Sequence, residues 1–253
     1  MSGHSKWSQI KHQKGQTDAR RGQLFTKLAR ELTVAARMGG SNPSGNTRLR
    51  MAVQKARDSN MPTDNIERAI RRGAGGAGGQ VQLEEITYEG FGPGGVAILV
   101  HVLTDNRNRT VSEVRGVLER GGGKLGAAGS VSWLFEQKGV IAIEEADPKK
   151  VEEMALLAIE LEADDFKVDG DLLEVYSPLE KLETLRRSLE QHQVPISRAE
   201  QAMVPKSTVL LEAKAAAGTL RLLDRLEELD DVQKVYCNAE FPDEVLEQYR
   251  AAA

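Results

Sequence analysis

The sequence predicts an α+β protein in which helices come first and small mixed sheets follow. Three observations lead there. The first 72 positions carry apolar residues at helical spacing in three successive stretches. A glycine tract, GAGGAGGQ at residues 73–80, then interrupts the chain, and the balance of charge reverses beyond it. After the tract, short apolar runs of strand length alternate with amphipathic stretches closed by glycine.

The elements can be justified in order. Residues 2–16, SGHSKWSQIKHQKGQ, are polar and basic with little periodicity, which predicts a mobile arm whose only large apolar groups are Trp7 and Ile10. Residues 18–38 read as a helix. Leu24, Phe25, Leu28, Leu32, Ala35 and Ala36 share one arc, Arg20, Lys27, Arg30 and Arg37 lie opposite, and Arg21 intrudes on the apolar side. Gly39 and Gly40 stop it, and SNPSGN leads to a second helix over 47–59. In that helix Leu49, Val53 and Ala56 face inward between Arg48/Lys55 and Arg50/Arg57. A third helix follows Pro62, with Asp64 and Glu67 spaced as a capping box and Gly73 as its stop.

Beyond the glycine tract, a strand at 86–89 turns through GFGPGG into an apolar strand at 96–103. Thr110 and Glu113 then open a helix that Gly121 closes, and a strand is predicted at 131–135. The next segment reads strand 140–143, helix 148–160, strands 166–168 and 172–176, helix 179–191 and strand 196–203, a complete βαββαβ unit. A strand at 208–211, a helix at 215–229 and a strand at 232–239 end the pattern. Joined to the elements before residue 136, these spell βαββαβ again. The predicted architecture is therefore an N-terminal three-helix module followed by two ferredoxin-like βαββαβ domains, the last inserted in the middle one. The boundaries are 1–72 for the basic arm and helical module, 73–80 for the linker, 81–135 with 206–253 for the middle domain, and 136–205 for the insert. Insertion requires only that the insert's two ends emerge close together.

Charge is the strongest functional signal. The whole chain has 34 Lys and Arg against 38 Asp and Glu, a formal charge of −4. Yet 15 of the basic residues and only five of the acidic ones fall in the first 72 positions. Phosphate attracts clustered Lys and Arg through counterion release and repels carboxylates, so the N-terminal third is the predicted grip for a nucleic acid. Residues 135–204, with 17 acidic and eight basic side chains, read as a face that stays off it. Single Cys237 excludes an internal disulfide framework and reads as a buried structural thiol. No run of about 18 apolar residues suggests a membrane span, and charges stand where a signal peptide would be apolar, which predicts a cytoplasmic protein. Zinc-type Cys and His spacings are absent and no compact catalytic constellation emerges, so no metal, no cofactor and no enzyme activity are predicted.

The candidate nucleic-acid-binding residues are Lys6, Trp7, Lys11, Lys14, Arg20, Lys27, Arg30, Arg48, Arg50, Lys55, Arg107 and Arg109. Trp7 fits two roles equally, stacking on an exposed base or docking on the helices as a staple. Arg107 and Arg109 stand in TDNRNRT ahead of a helix N-terminus, where an anion could bind, although a self-satisfied turn explains the string better. Gly90, Gly92, Pro93, Gly94 and Gly95 form a loop that could press its backbone against a phosphate or peptide. Turn chemistry alone accounts for them, and the literal G-x-G-x-x-G spacings lack the strand-to-helix context of a dinucleotide site. An RNA-recognition-motif reading fails because only 4% of residues are aromatic and the strands GVIAIEE and LLEVYS lack the stacking pattern. No helix stands out as a reader of DNA base edges.

The strings GHSKWSQIKHQKG, FTKLARELTVAARMGG, NTRLRMAVQKAR, NMPTDNIERAIRRG, YEGFGPGG, TDNRNRTVSEVR, GGGKLGAAGSVSWLF and VQKVYCNAE closely resemble the YebC/PmpR family over nearly the whole chain. The resemblance implies three domains and a bacterial cytosolic setting. It also implies one of two roles: a ribosome-associated translation factor that binds rRNA or tRNA and helps synthesis through sequences such as proline runs, or a regulator that binds promoter DNA. The tryptophan-bearing basic arm favours the first. The GFGPGG loop or the arm is nominated, by resemblance, to reach the peptidyl-transferase region. The chain departs from the family at His101, where relatives carry an acidic residue, and in the SNPSGN loop.

Overall fold

The computed structural model describes residues 6–10, 18–75 and 83–251, with no side-chain description for residues 18–20. Helices α1 (Asp18–Gly39), α2 (Thr47–Asp58) and α3 (Thr63–Gly73) pack around Leu28, Leu32, Ala35, Leu49, Val53, Ala56, Ile66 and Ala69. These are the inward positions that the 3.6-residue period selects. Asn46 caps α2 by accepting from the Leu49 amide at 3.0 Å. Its amide group donates to the Ala35 and Gly40 carbonyls at 2.7 and 2.8 Å, tying the SNPSGN loop to α1. The capping box expected in α3 does not form. Pro62 occupies the cap position without a side-chain bond, and Asp64 lies in the first turn, where it favours the helix dipole instead.

A four-stranded antiparallel sheet follows, ordered β3 (Lys124–Leu125), β1 (Glu84–Phe91), β2 (Ala97–Thr104) and β9 (Val232–Cys237). Helices α4 (Arg107–Arg120), α7 (Ala213–Glu227) and α8 (Asp243–Ala251) supply Val114, Leu118, Leu220, Leu223 and Val245 to its core. The strand expected at 208–211 does not enter this sheet. Only Val209–Leu210 (β8) forms, and it pairs in parallel with β10 (Ala239–Glu240). The tight GFGPGG hairpin lays β1 beside β2, so the central place in the sheet is already taken.

The second sheet is ordered β5 (Asp165–Asp169), β6 (Leu172–Ser177), β4 (Phe135–Glu144) and β7 (Ile196–Pro205), with α5 (Pro148–Glu160) and α6 (Leu182–Gln191) covering a core of Ile141, Ile143, Leu173, Val175 and Leu185. This is the βαββαβ order read from the sequence. Its first and last strands run together from Phe135 opposite Pro205, so the chain leaves and returns at one point.

The predicted mobile arm is a packed element where it is described. Residues 6–10 are helical, and Trp7 and Ile10 are buried in the core of the first sheet. The Trp7 indole N–H donates to Asp224 at 3.4 Å, Lys6 pairs with Asp169 and Asp243, and Arg198 of β7 donates to Ser8 at 2.7 Å. One short segment thus bridges both sheets.

Candidate nucleic-acid interface

Exposed cations without an internal carboxylate gather on the helical module. Arg57 ends α2, and Arg68, Arg71 and Arg72 project from α3. All four are exposed, and none forms an ion pair among the described residues. Arg68 and Arg72, with Asn65, Phe25, Thr26 and Met61, line a groove of about 230 Å³ between α1 and α3, and Arg21 lies 5.6 Å from the Phe25 ring. Gly73 permits the two helices to approach so closely, since a Cβ there would stand 2.2 Å from the Thr33 carbonyl oxygen. Asn65, Arg68 and Arg72 fall at i, i+3 and i+7, which places them along one helical face. Of these arginines only Arg21 and Arg57 enter the helical-face reading of the sequence, and none is among its predicted site residues. The string ERAIRRG carries the signal, and its three arginines become a surface only once Ile66 and Ala69 are seen to face inward.

Most of the predicted cations are engaged within the molecule. Arg48 holds Glu31 at 2.7 Å and Glu85 at 2.9 Å, and these partners raise its already high pKa. Arg30 pairs with Asp231 at 2.9 Å and also donates to the Asp230 carbonyl; Lys27 donates to the Glu227 carbonyl. Lys55 lies 3.7 Å from Glu200, which also takes Lys234 at 2.7 Å. Arg50 folds onto the Pro43 carbonyl and the Thr47 hydroxyl. Charge counting cannot show this, because the partners arrive from elements far along the chain, 200 residues away for Lys27 and 237 for Lys6. Trp7, at 1% exposure, is docked and not presented for stacking, a correction to that half of its reading. Lys11 and Lys14 lie outside the described residues, as does the Arg20 side chain.

The TDNRNRT string is a self-satisfied turn. Asn106, not Thr110, caps α4 by accepting from the Arg109 amide at 3.1 Å. Thr110 instead is buried and donates to Asp231 at 2.6 Å, alongside Thr104 at 3.0 Å and Arg109 at 2.7 Å. Burial alone would raise the Asp231 pKa, but hydrogen bonds from Arg109, Thr110 and Thr104 and the charge of Arg30 hold it below its usual value. An internal carboxylate therefore already engages the Arg109 guanidinium and the Thr110 hydroxyl beside this turn, and Asn106 takes the Arg109 amide. Arg107 stays exposed, its carbonyl accepting from the Tyr88 hydroxyl at 3.4 Å.

The Gly90–Gly95 loop is built by packing. Gly94 and Gly95 take φ of 74° and 79°, and a Cβ on Gly94 would lie 2.6 Å from Leu211. The Gly92 amide donates to the Val96 carbonyl at 2.8 Å, and Pro93 sits against Gly122 and Gly218. These residues hold the hairpin against α7, the role that turn chemistry assigns them.

The stretch 131–135, expected as a strand, is a tight 3₁₀ turn at Ser132–Leu134. The reason is Glu89. Its buried carboxylate accepts from the backbone amides of Gly129, Val131 and Ser132 at 2.7 to 2.8 Å, which removes them from strand pairing. The turn presents Trp133 at 66% exposure, a residue the sequence reading passes over because alternation placed it in a sheet. Cys237 is fully buried in β9, and burial pushes its thiol up to about 12. Among the described residues no cluster of His, Cys, Asp and Glu could hold a metal, and no helix is long and apolar enough to cross a membrane.

Comparison with known proteins places these features in a family. Residues 5–76 match the TACO1/YebC protein N-terminal domain, and residues 83–239 match the TACO1/YebC second and third domain. A probable transcriptional regulatory protein of Dehalococcoides mccartyi is 54% identical over the full length of both chains. One from Herpetosiphon aurantiacus is 50% identical over 98% of each. The crystal structure of a conserved hypothetical protein from Aquifex aeolicus superposes with a TM-score of 0.80 at 48% identity, covering 89% of this chain and 92% of that one. The chain belongs to the TACO1/YebC family.

Proposed function

We propose that this protein is a non-enzymatic, nucleic-acid-binding regulator that grips phosphate through the helical module, and that its first target is duplex DNA in transcriptional control. The observation that carries the reading is the exposed face of α3. Asn65, Arg68 and Arg72 stand in one row, with Arg57 and Arg71 unneutralised beside them. Asn and Arg are the side chains that read adenine and guanine edges, and the flanking arginines suit the backbone. Helices α2 and α3 are joined by residues 59–62, a turn of the length used by helix-turn-helix modules. The relatives' names, probable transcriptional regulatory proteins, support the same reading. Here residues 1–72 are the binding domain, 73–80 the linker, 81–135 with 206–253 the middle domain, and 136–205 an acidic insert.

A second reading is a ribosome-associated translation factor that binds rRNA or tRNA and assists sequences such as proline runs. The exposed Trp133 favours it, because aromatic stacking suits unpaired bases more than a closed duplex.

Fluorescence anisotropy with a labelled DNA duplex and a structured RNA, each at 50 and 200 mM salt, tests the reading. If about six phosphates are engaged, affinity falls roughly 10³-fold over that range. The R57E/R68E/R71E/R72E variant loses most of the affinity and flattens the salt slope. Retained affinity in that variant moves the interface elsewhere; no binding of either nucleic acid by the intact protein rejects the reading.

A further inference from the structure

The loop around Trp133 is more than an exposed side chain, because three independent constraints fix it. Glu89 draws the amides of Gly129, Val131 and Ser132 onto one carboxylate. The Trp133 indole N–H donates to the Ser130 carbonyl at 3.2 Å, which sets the ring's orientation and spends its only polar donor. Leu134, the next residue, packs against the cluster of Ala97, Leu99, Val131, Phe135 and Tyr236, and its carbonyl accepts from the Lys206 amide at 2.8 Å. What remains on offer is the aromatic face, held in place before any ligand arrives. The indole hydrogen bond restrains its rotation, so a stacking partner is bound at a lower entropic cost.

The surrounding charge identifies the partner. Lys206 is exposed and forms no ion pair among the described residues. Lys124 lies 5.5 Å from the centre of the Phe91 ring and is likewise exposed and without an acidic partner there. Glu89, the carboxylate nearest in the hydrogen-bond pattern, is consumed by the loop's own amides. An aromatic face with one lysine just past the end of β7, its amide bonded to the Leu134 carbonyl, and another beside Phe91 is the chemistry that receives a base together with its flanking phosphates. An acidic peptide would use the lysines but leave the indole face unused. A basic peptide would meet both lysines as like charges.

We infer that Trp133, Lys124 and Lys206 form a second nucleic-acid subsite, remote in sequence from α3, that takes one unpaired nucleobase on the Trp133 ring. This rests on the nucleic-acid-binding reading above and adds a second contact to it: beside the duplex grip of α3, the subsite takes a base only where the strand exposes one unstacked.

Tryptophan emission reads the subsite directly, since the chain has two tryptophans and Trp7 is buried. The intact protein is titrated with a single-stranded RNA oligomer, the single-stranded DNA of the same sequence and the corresponding DNA duplex. Single strands are expected to quench emission while the duplex leaves it unchanged, and the RNA and DNA arms show whether the sugar matters. W133A is expected to lose about tenfold in single-strand affinity with an unaltered salt slope, and W133F to keep most of it. K124E/K206E is expected to lower the salt slope by about two. If W133A binds single strands as tightly as the intact protein, the subsite is disproved while the α3 interface stands. Unchanged emission at saturating single strand has the same meaning and leaves Trp133 as a protein contact. If the intact protein binds no nucleic acid in any arm, both readings fall together.

Discussion

Two tryptophans of one chain serve opposite ends here. Trp7 closes a core that draws on both the first sheet and α7, whereas Trp133 stands on a turn. Trp7→Ala should therefore cost about 3–5 kcal/mol through lost burial and the cavity left behind. Trp133→Ala should stay within about 0.5 kcal/mol, and urea unfolding of the two variants separates them. Glu89 shows how a single carboxylate dictates local structure. Burial would raise its pKa, but the amides of Val131, Gly129 and Ser132 outweigh that and hold it below the ordinary 4.5. A depressed folded-state value means that the stabilisation is fully present above pH 4.5 and fades as pH falls through the lower folded value. Glu89→Gln should cost about 1–3 kcal/mol at neutral pH and flatten this acid limb, as thermal unfolding between pH 3 and 7 would show. His101 packs edge-on against Tyr236 at 5.1 Å, and burial together with the Lys234 ammonium holds it down to about 4. Its imidazole should stay neutral from pH 8 to 5, with no titration of its ring signals by NMR over that range.

At the scale of elements, glycine decides how closely helices meet. Gly73→Ala forces a methyl into the Thr33 carbonyl and should destabilise the helical module by about 1–3 kcal/mol, with Ala36 also crowded. Gly22, with open space around its Cβ position inside α1, should behave oppositely. Gly22→Ala should stabilise by about 0.5–1 kcal/mol, and melting temperatures of the pair check both signs. The elements that the sequence reveals best are those whose burial is set locally. α5 spans 148–160 as its apolar spacing and its Asp147 cap dictate, and the central strands of the second sheet follow from short apolar runs such as VIAI and LLEV. The elements it misplaces are set by distant partners. Residues 131–135 lose their strand to the Glu89 carboxylate 42 positions away, and β8 shrinks to two residues because β1 holds the place beside β2. The α4 cap moves from Thr110 to Asn106 because Asp231 claims the threonine hydroxyl.

Over the whole molecule, the charge polarity read from the sequence is real, but its use is divided. Positive residues facing the rest of the chain are neutralised: Arg30 by Asp231, Arg48 by Glu85 and Lys55 by Glu200. Those on the outer side, Arg57, Arg68, Arg71 and Arg72, are not. A tally by position cannot tell the two groups apart, since the difference is made by which face of each helix the first sheet covers, through Val34 against Leu83 and Leu103. The fold class was thus legible in local pattern, and the site only in its sign. This predicts a division in mutagenesis: Arg48→Glu should lower stability, because it sets a carboxylate against Glu31 and Glu85, while Arg71→Glu should leave unfolding unchanged and weaken nucleic-acid binding. Circular dichroism melts run beside binding titrations would show whether the two effects separate in this way. The covered cations carry a further consequence. A phosphate reaching for Arg30 or Arg48 meets a rival already tethered to the same chain, present at an effective concentration that no dissolved anion in a cell approaches. On the proposed reading, that occupancy should turn stray polyanions away, and a ligand first anchored on the outer arginines should be the one that displaces it.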